Sequence, residues 1–229
     1  IGDSGYIENL GGGEFKFQLW QGKKREPEKD NWYNTGKGTM EINGLIHSIQ
    51  PAVEGHPFSK YTFEGYWADV GTLQAYWESN MALLAETPAL DLYDPQWVIH
   101  TRSEEQPPVQ IGANAWVGGN LLSNGCVIEG VVERSVLSPG VRVAPGAVVR
   151  DSVIKNDTVI AANAKVERAI IDKEVYIGEG AEICYGVDNV PNRHYPARLN
   201  TGLSVIGKRA RIPGGVKIGH NVIINPGVD

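Results

Sequence analysis

VVERSVLSPGVRVAPGA (residues 131–147), VVRDSVIKNDTVIAANA (148–164) and KVERAIIDKEVYIGEGA (165–181) follow one another without a gap and align at a period of 17. Aliphatics recur in them at Leu137, Val143 and Val149, then Ile154, Ile160 and Val166, then Ile171, Ile177 and Ile183, so each repeat divides into steps of six, six and five. From Leu203 onward the steps are purely sixfold: Ile206, Ile212, Ile218 and Ile224 each lead a hexad whose fifth residue is small or branched, namely Ala210, Val216, Val222 and Val228. Neither alternation by two nor a helical period of 3.6 produces that spacing. A hexad with one inward aliphatic and a small fifth residue lays a short strand on one face of a triangular prism, and three such strands close a turn of about 18 residues. Each turn then buries its aliphatics only against the turns above and below it. Gly112, Gly118, Gly146, Asn163, Gly178, Gly180, Gly207, Gly219 and Gly227 suit the corners, where positive φ or a tight bend is needed. The spacing predicts a mainly β fold, a parallel β-helix over residues 109–229. A β-sandwich of short strands is the competing reading.

The repeat is interrupted at residues 187–202, VDNVPNRHYPARLNTG, whose Pro, Asn and Arg content marks a loop leaving the prism. Ahead of the repeat, residues 90–108 (LDLYDPQWVIHTRSEEQPP) read as a linker with a short extended piece over Trp97 to Thr101. Residues 1–89 form a separate partial domain of mixed character: Gly11 to Gly13, an alternating strand candidate over Glu14 to Trp20, a charged stretch from Gln21 to Asp30, and a helix at its end. That helix follows FEGYWADVGT (63–72), where LQAYWESNMALL (73–84) sets Leu73, Tyr76, Trp77, Met81 and Leu84 at spacings of three and four. Thr72 or Asp69 is an ordinary cap for it. The sharper reading of Asp69, crowded by aromatics, is a carboxylate that binds a metal or a sugar.

With 229 residues the chain has room for one large domain or two small ones. Its net charge of -6 and pI near 5.4 supply no general basic field for nucleic acid or an anionic membrane, although local Arg and Lys clusters suit small phosphates. Cys126 and Cys184 stand far apart in apolar repeats, which argues against a disulfide framework or a zinc site and for a reducing, cytoplasmic setting. No apolar run nears the roughly 20 residues that span a bilayer, and IGDSGYIENL lacks the basic-then-apolar pattern of a signal peptide. A soluble protein with neither nucleic acid nor membrane as partner is expected.

In order along the chain, FEGYWADVGT with LQAYWESNMALL, LDLYDPQWVIHTR, LLSNGCVIEG, SVLSPGVRV and RAIIDK resemble bacterial glucose-1-phosphate adenylyltransferase, the ADP-glucose pyrophosphorylase of glycogen and starch synthesis. The likeness runs from about Ile49 to Asp229. It is specific because ordered motifs span linker and repeat, whereas hexads alone fit many acyltransferases. GGGEFKFQL and KKREPEKDNWYNTGKGT are similar in outline to the family's strand, its Gln-rich loop and its NWYxGTADAV segment, with Gly36-Lys37-Gly38 where the family has Thr-Ala-Asp. The resemblance implies a left-handed hexapeptide-repeat β-helix preceded by a truncated α/β nucleotidyltransferase remnant. It also implies the conversion of ATP and glucose-1-phosphate to ADP-glucose and pyrophosphate with Mg²⁺, an anionic allosteric effector, and a homotetramer.

The departures narrow that expectation. No GGxGTRLxPLT stretch, the family loop whose backbone amides cradle a triphosphate, occurs in this sequence. Between the NWY segment and Ile49 the family's second metal-binding Asp, its glucose-contacting Glu-Lys pair and its sugar-phosphate Lys are missing too. By resemblance Asp69 shares the Mg²⁺ with that Asp, and one carboxylate makes a poor magnesium site unless phosphates complete it. The chain is therefore expected to be incomplete or inactive alone, or to be a non-catalytic assembly or regulatory module of the same family, and no catalytic residue is assigned. Arg168, with Lys165 beside it, matches a family position near the regulatory anion site; the plain alternative is an outward, solvated Arg. Gly36-Lys37-Gly38-Thr39 lacks the GxxxxGK[ST] spacing and reads as a surface turn before it reads as a phosphate loop. Trp32 and Tyr33 either couple effector binding to the nucleotide site, by resemblance, or pack on a sheet. Arg193, His194 and Arg198 on the loop at 187–202 either bind an anionic effector or pair with nearby acids such as Asp188. His220 raises a further alternative, an acyltransferase whose His base lies beside a pantetheine channel.

Overall fold

The computed structural model describes residues 66–99 and 105–229, and before them the backbone of four strands; it divides into two compact units, Ile1–Trp67 and Ala68–Asp229. In the first unit, strands Gly5–Gly11, Glu14–Leu19, Gly38–Glu41 and Leu45–Ile46 pair antiparallel in chain order. The alternating apolar stretch from Glu14 is thus a strand, and no helix occurs among the described residues of this unit. Gly38 pairs with Phe15 and Thr39 with Glu14, so that half of the Gly-Lys-Gly-Thr motif belongs to a ladder. Trp32, Tyr33, Gly36 and Lys37 lie outside the described residues.

In the second unit the 17-residue period becomes a three-faced parallel β-helix of 18 short strands, six to a face. One face holds Leu121–Leu122, Val136–Leu137, Val153–Ile154, Ala169–Ile171, Ser204–Ile206 and Ile223–Ile224. The second holds Gln110–Ile111, Val127–Ile128, Arg142–Val143, Val159–Ile160, Tyr176–Ile177 and Arg211–Ile212. The third holds Trp116–Gly118, Val131–Glu133, Val148–Arg150, Lys165–Glu167, Glu182–Ile183 and Lys217–Ile218. Every solenoid pairing is parallel and joins one coil to the next, which rules out the sandwich.

The predicted inward residues stack in register: Leu137 on Ile154, Val143 on Ile160, Val149 on Val166, Ile160 on Ile177. They are fully buried, as are the fifth residues Val141, Thr158, Val175 and Ala210 on one corner and Ala147, Ala164 and Ala181 on another, whereas in the last hexads Val216, Val222 and the inward Ile224 are half-buried and Val228 is exposed. Small side chains are required there because the chain turns inward at the corner. Burying one Ile or Val rung contributes about 1.5–3 kcal/mol relative to leaving it in water. Both cysteines are free and buried in this column, and burial pushes their thiols up.

The five-residue step makes a tighter corner. Arg134, Asp151 and Arg168 occupy it with φ of 41°, 45° and 43°, in the left-handed region that side chains other than glycine rarely enter. What holds them there is a ladder of buried serines. The Ser135 hydroxyl donates to the Glu133 carbonyl at 2.8 Å and accepts the Ser152 N–H at 3.1 Å; the Ser152 hydroxyl donates to the Arg150 carbonyl at 2.6 Å and accepts the Ala169 N–H at 3.1 Å. Of the corner glycines, Gly146, Gly180 and Gly227 have positive φ as expected, whereas Gly178 and Gly207 serve close approach: a Cβ would lie 2.5 Å from the Gly214 nitrogen and 2.6 Å from the Pro226 nitrogen.

The remaining elements sit on the outside of the prism. A helix, Leu73–Ala82, opens at Thr72, whose backbone is extended and whose hydroxyl accepts the Ala75 N–H at 3.1 Å. Residues 85–99 carry turns and no strand: Asp91 accepts the Tyr93 N–H and Asp94 the Gln96 N–H, each at 2.8 Å, and of the piece expected over 97–101 Trp97 lies in a bend while Val98 and Ile99 join no ladder. Residues 100–104 lie outside the described residues. No helix among the described residues is long and apolar enough to cross a membrane.

Candidate functional site

One face of the prism is unlike the other two, and it organises the site. On the second and third faces the outward residues include Arg142, Tyr176, Arg211, Lys165 and Lys217, but on the first they are Leu121, Val136, Val153, Ile170, Val205 and Ile223, aliphatic throughout. This outward row of six aliphatics would expose a large apolar stripe, so this face has to be covered. It is covered by the helix and by the root of the excursion. Leu73, Tyr76 and Trp77 pack with Val205 and Ile223 against the buried cluster of Ile170, Leu199 and Leu203.

Polar contacts fix the arrangement. The Trp77 indole N–H donates to the Asp151 carbonyl at 2.7 Å, while the Arg168 guanidinium lies 4.8 Å from the centre of the same indole and donates to the Thr201 carbonyl at 3.0 Å. The Thr201 hydroxyl donates to Gln74 Oε1 at 2.6 Å, and the Lys155 ammonium lies 5.0 Å from the Tyr76 ring. Arg168 therefore joins three elements: its own corner, the helix and the excursion. The aliphatic spacing of the helix was visible in the sequence; its destination was not counted, although the doublets Val153-Ile154, Ile170-Ile171, Val205-Ile206 and Ile223-Ile224 mark it.

Lys165 is exposed on the third face, 3.6 Å from Glu182, which also takes Lys217 at 3.2 Å. Lys217, first, and Lys165 hold the Glu182 carboxyl below the usual glutamate range. The two residues expected to receive an effector thus both have protein partners, and they lie on different parts of the coil: Lys165 on a flat face, Arg168 at the corner.

Asp69 is exposed, and its Oδ1 accepts the Gly71 N–H at 2.8 Å, a turn that leads straight into the Thr72 cap. Among the described residues no group of three His, Cys, Asp or Glu side chains is placed to hold a metal. Magnesium prefers octahedral oxygen coordination, so the described residues do not by themselves fit that ion. His220 is not a free base. Its Nδ1 lies 3.0 Å from the Gly202 carbonyl and its Nε2 3.0 Å from the Gly186 carbonyl, so the ring sits between the two ends of the excursion and donates to one of them according to its tautomer. Asn221, buried beside it, accepts the Gly202 N–H at 2.8 Å and donates to Asn189 Oδ1 and the Val190 carbonyl at 2.6 and 3.0 Å. Arg193, His194 and Arg198 are exposed on the part of the loop beyond these anchors, and among the described residues no ion pair includes them.

Comparison with known proteins agrees with this architecture. A family model described as GlmU-like, C-terminal hexapeptide, matches residues 110–206. The glucose-1-phosphate adenylyltransferase of Thermomicrobium roseum is 58% identical over 169 residues, which is 73% of this chain and 40% of that protein. The enzymes of the same name from Acetivibrio thermocellus and Fervidobacterium nodosum are 42% identical over 76% of the chain and 41% over 72%, covering 40% and 39% of their own lengths. The matched part therefore spans about two fifths of the curated relatives. A 169-residue match in a chain of 229 necessarily runs into the solenoid.

Proposed function

We propose that this relative of the glucose-1-phosphate adenylyltransferases serves such an enzyme as its solenoid part, supplying assembly and regulation, and does not itself carry the transfer of adenylyl from ATP to glucose-1-phosphate. The observation that supports this reading most is the docked helix: a β-helix with a helix clamped to one face through Trp77 and Arg168 is a rigid body built to hold something at a fixed angle. The identity to enzymes of that name supports the choice of family. Transfer would need a magnesium ion and cationic clamps on the phosphates. Of these the described residues offer Asp69 as one carboxylate, and no step is derived from it.

Regulation by a small anion is part of the reading. Lys165 and Arg168 are the proposed contacts, and the chemistry supporting them is two cations within one coil. An anion at Arg168 has to add to, or displace, the Thr201 carbonyl, so its binding would be felt at once by the helix and the excursion. Assembly as a homotetramer and a cytoplasmic setting belong to the same proposal, supported by the family and by the two unpaired, buried thiols. The acyltransferase reading has less support, because both ring nitrogens of His220 face backbone carbonyls.

The test is to mix the purified chain with the full-length Thermomicrobium roseum enzyme. A co-eluting mixed oligomer with an altered effector response is expected; two species that elute apart, with an unchanged response, would overturn the reading.

A further inference from the structure

We propose that two exposed stretches of this chain, the acidic aromatic segment at 91–98 and the basic tip of the excursion at 187–198, dock onto each other between two copies. The proposal rests on the reading that the chain self-associates, and it names the surfaces that do so. The first stretch carries Tyr93, 82% exposed, and Trp97, 67% exposed, flanked by Asp91 and Asp94. Asp91 and Asp94 are the only charged residues of this stretch, and the sequence from Tyr66 to Ile99 contains neither Lys nor Arg. The second stretch carries Val187, 95% exposed, and Val190, 69% exposed, beside Arg193 and Arg198. Among the described residues no hydrogen bond or ion pair joins the two stretches.

Each stretch taken alone would be an unexplained apolar patch; together they complement one another. One stretch offers two large aromatics and two carboxylates, and the other offers two aliphatics and two guanidinium groups, with Asp188 as its one acid. Arg and carboxylate pair bidentately, and Trp and Tyr are the side chains that most often anchor interfaces. Both segments are held rigid from behind, which lowers the cost of ordering them: Asp91 and Asp94 close their own turns, and Asn221 and His220 pin the excursion at its root. A contact between two different patches on identical chains closes either as a reciprocal pair about a twofold axis or as a ring. The charge complementarity selects a second copy of this chain as the occupant, because the partner surface is present on it.

Sedimentation velocity at low and high salt provides the test, with the wild-type chain, R193E/R198E, D91R/D94R, and an equimolar mixture of the two variants. The altered residues are on the surface, and V190S serves as an uncharged third variant; folding of each is confirmed by thermal denaturation. The wild type is expected to associate more tightly at low salt, each charge-reversed variant to weaken association at least about tenfold, V190S to weaken it without changing the salt dependence, and the mixture to recover it. A monomeric wild type would overturn both the self-association and this interface. An associated wild type with unaffected variants overturns the interface and leaves self-association standing. Weakening by D91R/D94R with no recovery in the mixture shows that residues 91–98 cover another surface, residues 1–65 of the same chain included, and also overturns it.

Discussion

Ser152 shows how much a single residue holds at the five-residue corner. It is fully buried, and its hydroxyl is the hydrogen-bond acceptor for the Ala169 N–H while donating to the Arg150 carbonyl. Ser152→Ala strands both groups away from water, and the expected loss is about 1–3 kcal/mol in urea unfolding; an unchanged midpoint would contradict the ladder. Trp77→Phe keeps an aromatic ring in the cluster but removes the indole N–H from the Asp151 carbonyl, with an expected cost of about 1 kcal/mol by the same measurement. Ser135 and Ser152 recur at the same place in the 17-residue period, but a polar pair carries no signal in an aliphatic periodicity. The sequence also marked Arg168 as a notable cation, but the stacked indole that engages it is 91 residues away in the chain and no local pattern connects them. Of the two caps that the plain reading offered, Thr72 is the one that caps the helix, while Asp69 closes a turn onto the Gly71 N–H ahead of it.

At the scale of elements, rungs and charge ladders share the work of setting register. Inward columns fix which residues stack, and outward pairs such as Arg150 between Glu133 and Glu167, or Glu182 between Lys165 and Lys217, penalise a coil shifted by one. Arg209, first, and Lys208 hold the Glu174 carboxyl below its ordinary value, as Lys217 and Lys165 do for Glu182. A lowered carboxyl pKa stabilises the fold above the unfolded value near 4.5, and that contribution is lost as pH falls through the folded value. Thermal midpoints are therefore expected to drop as pH is lowered below about 4.5, by less in E174Q/E182Q than in the wild type; equal drops would remove these pairs from the account. The pairs are exposed, so the effect is small and shrinks further with salt. The start of the helix was legible because Thr72 caps it. Its end at Ala82, two residues short of Leu84, was not, since Leu83 and Leu84 close onto Asn80 and Met81 in turn geometry. Ahead of the extended piece expected over Trp97 to Thr101, the turns of Asp91 and Asp94 hold the chain through residue 96, because their side chains compete with extended backbone.

For the whole molecule, the β-helix was readable because inward aliphatics at six, six and five match neither alternation by two nor a helical period, and because each coil needs only its neighbours; the parallel pairing of successive coils is what excludes the sandwich. The docked face was less readable, since the doublets that mark it look like ordinary strand residues until a partner is placed on them. The excursion is the exposed interruption of an otherwise continuous array. Within residues 109–229, trypsin is expected to cut first after Arg193 or Arg198, with the nicked product remaining one particle because Asn221, His220 and the buried Leu199 anchor both sides. Early cleavage inside the coils at Lys155 or Lys173 would contradict that order of stability. Under the function proposed above, this molecule places and regulates an enzyme and does not itself transfer adenylyl. Pyrophosphate release by the pure chain, supplied with ATP, glucose-1-phosphate and Mg²⁺, tests it most directly: turnover indistinguishable from the protein-free background is the result predicted, and steady turnover proportional to chain concentration would contradict it.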